Sequence, residues 1–388
     1  MVTLTTLLRT GLIGGISALL LFTDPVSPHP TASLPISGLT LWGEAILPHG
    51  SVTVAGTPMG GLSGLTYDAK RHLYYAVSDD PSQNGPARFY TLTIQGGAKP
   101  RDPMRVEVVG VTPLRRPDGQ PFGKGTVDPE GIAYTTQDSL WIASEGIVNR
   151  QGNRLITPFI HEFDRQGRHR GALPIPPKVM PRLVNGIPVA GIRHNLSLES
   201  LTLTPDQRFL LTATENALVP DGEVASPTSG SLARILKYDL RQGTVVREAL
   251  YVTDPVAAPP LIANGFQTSG LVELLALDNS GEQLLALERS FAVGRGHRIT
   301  IYRVDLAGAT PIQEIDSLKA IDISSIVPAQ KQLLLSLETL RLPNGLSNLE
   351  GMTLGSLLPN GQPSLVLISD DNFQAGQFTQ VLLFSLDF

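Results

Sequence analysis

No cysteine occurs among the 388 residues of the chain. That excludes disulfides, thiol nucleophiles and thiolate metal sites together. Positive charge is also scarce: 30 Lys and Arg stand against 35 Asp and Glu, giving a net charge of −5 and a pI near 5.8. A nucleic-acid partner would favour a basic face, so none is expected. The 7 His include no HxxxH-type pair, which sets aside a paired-imidazole zinc site. Gly60-Gly61-Leu62-Ser63-Gly64 is followed by neither Lys-Ser/Thr nor a helix signal, so it is no phosphate loop. The same stretch lacks the spacing of a hydrolase nucleophile elbow.

Long apolar runs are rare too. One stands out, Gly11 to Phe22, preceded by Arg9 and broken by Asp24-Pro25. A single positive charge before a short apolar core is an export-signal pattern. Residues 1–36 are therefore expected to be a signal peptide, or an uncleaved membrane anchor, ending in a Pro-rich linker. The expected location is exported, periplasmic or extracellular, with membrane contact through that anchor alone. Residues 37–388 are expected to form one domain.

What the chain does have is Gly (38) and Pro (31) in an apolar background of 41%. That suits many short strands joined by turns. One hairpin pattern recurs five times. Asp128-Pro129-Glu130-Gly131-Ile132 leads to Trp141-Ile142-Ala143-Ser144-Glu145. Equivalent pairs run from Ser63 to Asp79-Asp80, from Glu199 to Glu215, from Leu271 to Glu288, and from Glu350 to Asp370-Asp371. The closing acids Asp79, Glu145, Glu215, Glu288 and Asp370 are spaced 66, 70, 73 and 82 residues apart. A long internal period in an all-β sequence marks a propeller or an array. Each repeat holds a second strand pair, led by segments such as Phe159 to Asp164, whose Asp-Arg-Gln-Gly ending is hairpin chemistry.

Four strands per repeat make a propeller blade. The expected fold is an all-β propeller with five four-stranded blades. The last repeat stops after its third strand, and Leu39 to Leu47 can supply the fourth and close the ring. A sixth, poorly matching blade has room in residues 305–345.

In a propeller the start of each first strand and the end of each second strand meet at one mouth. This gathers Glu130, Glu199 and Glu350 with Asp79, Asp80, Glu145, Glu215, Glu288, Asp370 and Asp371. Glu273 is one residue out of register and is not counted. So many carboxylates near one axis either rise in pKa or bind cations. Hard oxygen ligands suit Ca²⁺. Blade-end acids also cap turns, which is the structural alternative for each of them. Arg289 follows Glu288, Arg88 follows the first acid pair, Arg193 and Asn195 precede Glu199, Asn348 precedes Glu350, and His297 sits in a Gly-rich loop. Arg beside metal-binding carboxylates suits a small anionic or ester substrate.

Asp-Pro-Glu-Gly-Ile at 128–132, Leu-Glu-Ser-Leu at 198–201, Leu-Glu-Arg-Ser-Phe at 287–291, Asn-Leu-Glu-Gly-Met at 348–352 and Ser-Asp-Asp-Asn-Phe at 369–373 carry a family resemblance. Over roughly residues 50–388 the chain resembles the phytase-like propeller family called "esterase-like activity of phytase". The resemblance implies a secreted β-propeller and a hydrolase of phosphate or other esters. Propeller phytases hold several Ca²⁺ ions and a basic cluster around phosphate; this chain offers no position-by-position match to that cluster.

The expected function is thus a Ca²⁺-dependent ester or phosphoester hydrolase acting as a monomer. Glu130, Glu199, Glu350 and Arg289 would be catalytic. Arg193, Asn195, Arg88 and Asn348 would bind substrate, and the mouth acids would hold metal. Two alternatives stay open: a non-catalytic binding propeller, and a lactonase-like one that also uses acidic Ca²⁺ ligands.

Overall fold

The computed structural model describes residues 36–149 and 154–388. The export-type segment lies outside the described residues. No helix among the described residues is long and apolar enough to cross a membrane.

Five four-stranded antiparallel sheets follow one another along the chain as the blades of a propeller. Blade 1 begins with Leu62–Asp68, blade 2 with Pro129–Tyr134, blade 3 with Thr202–Leu203, blade 4 with Gln267–Ala276 and blade 5 with Asn348–Leu354. The expected closure is present. Strand Gly38–Pro48 pairs antiparallel with the last strand, Phe378–Asp387, and is the outer strand of blade 5. A register shift between Leu41 and Gly43 lets Trp42 turn inward, where its indole N–H donates to Gly97 O at 3.0 Å.

No sixth blade is present among the described residues. Residues 306–329 form a connection with two short 3₁₀ turns, Leu318–Ala320 and Ile323–Ser325. The following strand, Gln330–Ser336, is the fourth strand of blade 4. Leu334 and Leu335 pack against the core between blades 4 and 5, while Leu333 is exposed.

Side chains alternate across each strand, and both faces of a blade are covered by its neighbours. The core is accordingly divided into apolar clusters at the blade interfaces. Tyr75, Phe89 and Ile132 join blades 1 and 2, Trp141 and Tyr238 join blades 2 and 3, and Leu211 and Leu274 join blades 3 and 4. Leu285 and Phe384 join blades 4 and 5, and Trp42 and Tyr90 join blades 5 and 1.

Candidate functional site: a buried ring of carboxylates

Each first strand breaks its ladder at the same place. The skipped residues are Ser63-Gly64 in blade 1, Glu130-Gly131 in blade 2, Val272 in blade 4 and Glu350 in blade 5. In blade 3 the pairing jumps from Leu198 with Thr214 to Thr202 with Leu211, releasing Glu199. A bulge leaves a residue unpaired and re-aims its side chain. Here it turns Glu130, Glu199 and Glu350 toward the axis.

A residue at or just past the end of the second strand completes the ring in blades 1, 2, 3 and 5, and one inside the strand does so in blade 4. These are Asp79, Glu145, Glu215, Arg289 and Asp370, set one position beyond Ser78, Ser144, Thr214, Glu288 and Ser369. Backbone bonds fix them: Asp79 N donates to Gly61 O, Glu145 N to Asp128 O and Glu215 N to Ser197 O. Asp128 thus joins the ring from the residue before its strand. Blade 4 breaks the pattern twice, with Val272 for an acid and Arg289 for another.

Eight carboxylates meet here: Asp79, Asp128, Glu130, Glu145, Glu199, Glu215, Glu350 and Asp370. Glu145 and Asp370 are 1% exposed and Glu215 is 0% exposed. Burial, then mutual repulsion, pushes Asp79, Glu130, Glu199 and Asp370 well above the ordinary carboxylate range. Glu145 rises likewise, through burial and then the charges of Asp128 and Glu215. Burial raises Asp128 to about 7, although a hydrogen bond with Glu145 opposes the rise. Glu215 and Glu350 are also raised by burial, with the Arg289 charge pulling the other way.

The Arg289 guanidinium donates to Asn348 Oδ1 at 2.8 Å, to Glu215 Oε1 at 3.0 Å and to Glu350. Asn348 Nδ2 in turn donates to Glu350 Oε1 at 3.0 Å. One guanidinium among eight acids leaves a large charge imbalance. Two like charges about 4.8 Å apart repel by about 3.5 kcal/mol at an effective dielectric near 20.

Two observations fit this ring to a cation. Oxygens of Asp128, Glu130 and Glu145 all lie within 4.8 Å of one another. Ligands of a Ca²⁺ ion, about 2.3–2.6 Å from it, stand no more than about 5 Å apart. Independently, Glu215 Oε2 is buried without a hydrogen-bond partner. A buried carboxylate oxygen left bare is costly unless something positive meets it.

Other expected site residues lie elsewhere. Glu288 is a correction: it sits where the other blades carry Ser or Thr and faces away from the axis. It accepts from Tyr251 Oη at 2.6 Å, Asp254 N at 2.7 Å and Lys331 Nζ at 2.6 Å. In a strand one residue of register reverses the face, so Arg289 takes the ring position.

Asp80 accepts from Gln83 N at 2.7 Å and Arg88 Nη1 at 2.7 Å, and so braces the loop after blade 1's second strand. Asp371 accepts from Gly61 N at 2.9 Å and pairs with His49 at 2.6 Å. Arg88 is 1% exposed and lies over Tyr90 and Phe373, so it is an interior brace with no surface for substrate. Arg193 donates to Ala217 O at 3.0 Å and to Gly222 O, pinning a loop.

Glu273, left out from the sequence, bridges three blades. Its Oε1 accepts from Leu201 N at 3.1 Å and Leu274 N at 3.0 Å, and Met352 N–H adds a third bond. Burial nevertheless raises it well above the carboxylate range. It holds inner strands together and does not face the ring acids.

A cleft of about 590 Å³ opens over the Arg289 side of the ring. Blade 3 contributes Asn195 and Glu215, blade 4 contributes Phe266, Gln267 and His297, and blade 5 contributes Asn348 among others. Of the residues missed from the sequence, Asp128 was visible as the acid opening the Asp-Pro-Glu-Gly block. Phe266 and Gln267 carry no motif; they reach the cleft because a long Pro-rich loop ends there.

Fold and ring together define a five-bladed propeller with a carboxylate-lined mouth, charged like a cation site and open to a cleft. The chain belongs to the phytase-like family described as "Esterase-like activity of phytase", whose model matches residues 57–373. No curated protein matches it. Among solved structures it is similar to Kuenenia stuttgartiensis hydrazine synthase, at 11% identity and a TM-score of 0.33, covering 82% of this chain and 81% of that one. It is also similar to the Dos1 propeller, at 9% identity and a TM-score of 0.35, covering 89% of this chain and 95% of that one. Neither likeness is close enough to bear on function.

Proposed function

We propose that the chain is a Ca²⁺-dependent hydrolase of phosphate or other ester bonds, working at the carboxylate ring. The observation that carries this is eight carboxylates, seven of them buried, sharing one mouth with a single bonded guanidinium, Arg289. Asp128, Glu130 and Glu145 would hold the ion. A divalent cation held there supplies Lewis-acid polarisation of an ester oxygen and lowers the pKa of water.

The protein's own groups do the rest. Arg289 keeps its Nε–H buried and unpartnered on the cleft side of the ring. That donor is free for a substrate oxygen on which negative charge develops. Asn348 and Glu350 fix the guanidinium plane, so little reorganisation is needed when charge appears. Glu199 and Asp370 complete the ring and keep the mouth negative enough to retain the ion.

The test is turnover of p-nitrophenyl phosphate, p-nitrophenyl acetate and a lactone panel, with Ca²⁺ and with EDTA. Ca²⁺-dependent turnover that falls in Glu130→Gln and Glu199→Gln is the expected result. No turnover on any of them, with those variants changing only the melting temperature, sinks the enzyme reading.

A second reading has its own support. Arg289 is already tied to Glu215, Glu350 and Asn348, as in a scaffold, so a cation there could serve only to stiffen a ligand-binding mouth. The Arg9 to Pro25 pattern supports action outside the cytoplasm; fractionation of cells expressing the full chain checks it.

A further inference from the structure

Four buried polar atoms around the cleft have no hydrogen-bond partner: Glu215 Oε2, Gln267 Oε1, Arg289 Nε and His297 Nδ1. They come from three segments distant in sequence and line one cavity. Glu215 is 0% exposed, so its bare oxygen is not satisfied by bulk water. A buried polar atom without a partner costs about 1–3 kcal/mol. Four around one cavity imply that a ligand supplies the partners.

Their chemistry narrows that ligand. Arg289 Nε–H needs an acceptor. Gln267 and Glu215 need donors. His297 is neutral at pH 7, because burial and then the Arg289 charge hold its pKa down to about 4, and its Nδ1 can serve either way. A phosphate offers mainly acceptors and would bring more negative charge beside eight acids. A hydrocarbon offers nothing. A hydroxyl group both donates and accepts.

The walls agree. Phe291 packs between Phe266 and His297, with ring centroids 6.1 and 4.8 Å away, making an apolar platform. Phe266 is 66% exposed and presents a ring at the rim. The lining also includes side-chain amides from blade 5, Asn372, Gln374 and Gln377, which are bonded to one another. Aromatic platforms with convergent neutral amides suit an uncharged ring edged with hydroxyls.

We propose that this cleft binds an uncharged, hydroxyl-rich ring, of the pyranose-sugar class, lying on the Phe266–Phe291 platform with its hydroxyls on Gln267, His297 and Arg289 Nε. That the sugar carries the ester to be cleaved rests on the hydrolase reading above; the binding itself does not.

The test is saturation-transfer NMR on the full chain, in Ca²⁺ and in EDTA, with the methyl glycosides of glucose, galactose and mannose. Tripolyphosphate serves as the charged competitor. At least one glycoside should show transfer, and Phe266→Ala and Gln267→Ala should each weaken it about fivefold or more. Thermal melts of both variants should match the parent, since Phe266 is exposed and Gln267 Oε1 bonds nothing within the chain. No transfer to any of the three glycosides in either buffer overturns the proposal. So does unchanged binding in both variants, or displacement by tripolyphosphate at equal concentration. Glycoside binding without turnover keeps this proposal and removes the hydrolase reading; turnover on simple esters without glycoside binding does the reverse.

Discussion

The two halves of the propeller axis are built differently. From blade 5 through blades 1 and 2 to blade 3, inner strands meet backbone to backbone. A Cβ at Gly351 would run into Ser63 O, one at Gly64 into Glu130 O, and one at Gly131 into Glu199 O. Blade 4 has Glu273 at the position of Gly351, and a long side chain fills the gap that close strand approach leaves elsewhere. Blade 4 also supplies the one Arg of the ring and the rim of the cleft. Near symmetry in sequence therefore coexists with a shut sector and an open one. The chemistry capable of meeting a ligand gathers in the open sector.

The largest test of this contrast is Arg289→Met. It strips the buried Glu215 and Glu350 of their cation, and breaking a buried pair costs about 3–5 kcal/mol. Denaturant unfolding in EDTA should show that loss, and Ca²⁺ should recover much of it. An unchanged midpoint would mean the ring is held by something other than charge. Next comes the shut sector. Gly131→Ala or Gly351→Ala forces strands apart and should cost about 1–3 kcal/mol, with no recovery by Ca²⁺. A Ca²⁺-sensitive loss there would erase the distinction between sectors.

A smaller effect is expected with pH. The ring acids have folded pKa values raised above their unfolded ones, Asp128 to about 7. The folded protein thus keeps protons that the unfolded chain has lost. Their contribution is fully present below the unfolded value and is lost as pH rises through the folded one. In EDTA the melting temperature should fall from pH 5 to pH 8, and saturating Ca²⁺ should flatten the slope. A melt that rises over this window would contradict the ring electrostatics. The smallest effect concerns Glu288. Calorimetric titration should show Glu288→Gln leaving Ca²⁺ affinity nearly unchanged, whereas Glu130→Gln lowers it on the order of tenfold or more.

Much of the architecture is legible in the sequence alone. Alternating strands, Asp-Gly turns and a lone strand at Leu39 to Leu47 specify four-stranded blades and their closure, because period-2 patterns and turn chemistry are local signals. Asp128 apart, the ring acids of blades 1, 2, 3 and 5 were legible for the same reason: each stands at a strand end. Blade 4 was misread because Glu288 and Arg289 are adjacent and a bulge at Val272 decides which one faces the axis. Asp80 and Asp371 follow true ring acids directly, and composition does not distinguish a capping carboxylate from a ring one. The cleft was not legible at all. Its parts come from blades 3, 4 and 5, and an unpartnered atom becomes visible only when its neighbours are placed.

The strand Gly38–Pro48 has a consequence for how the molecule is made. Its partner, Phe378–Asp387, comes after every other strand of the ring in chain order. At about 5–20 residues per second, the early strand waits on the order of tens of seconds with its backbone donors and acceptors unpaired. The ring therefore cannot close until that partner strand has emerged. In that interval the waiting edge can pair with the wrong strand, including the same strand of another nascent chain. Moving Gly38–Pro48 to follow Asp387, as in a circular permutant, would place both partners side by side and remove the wait.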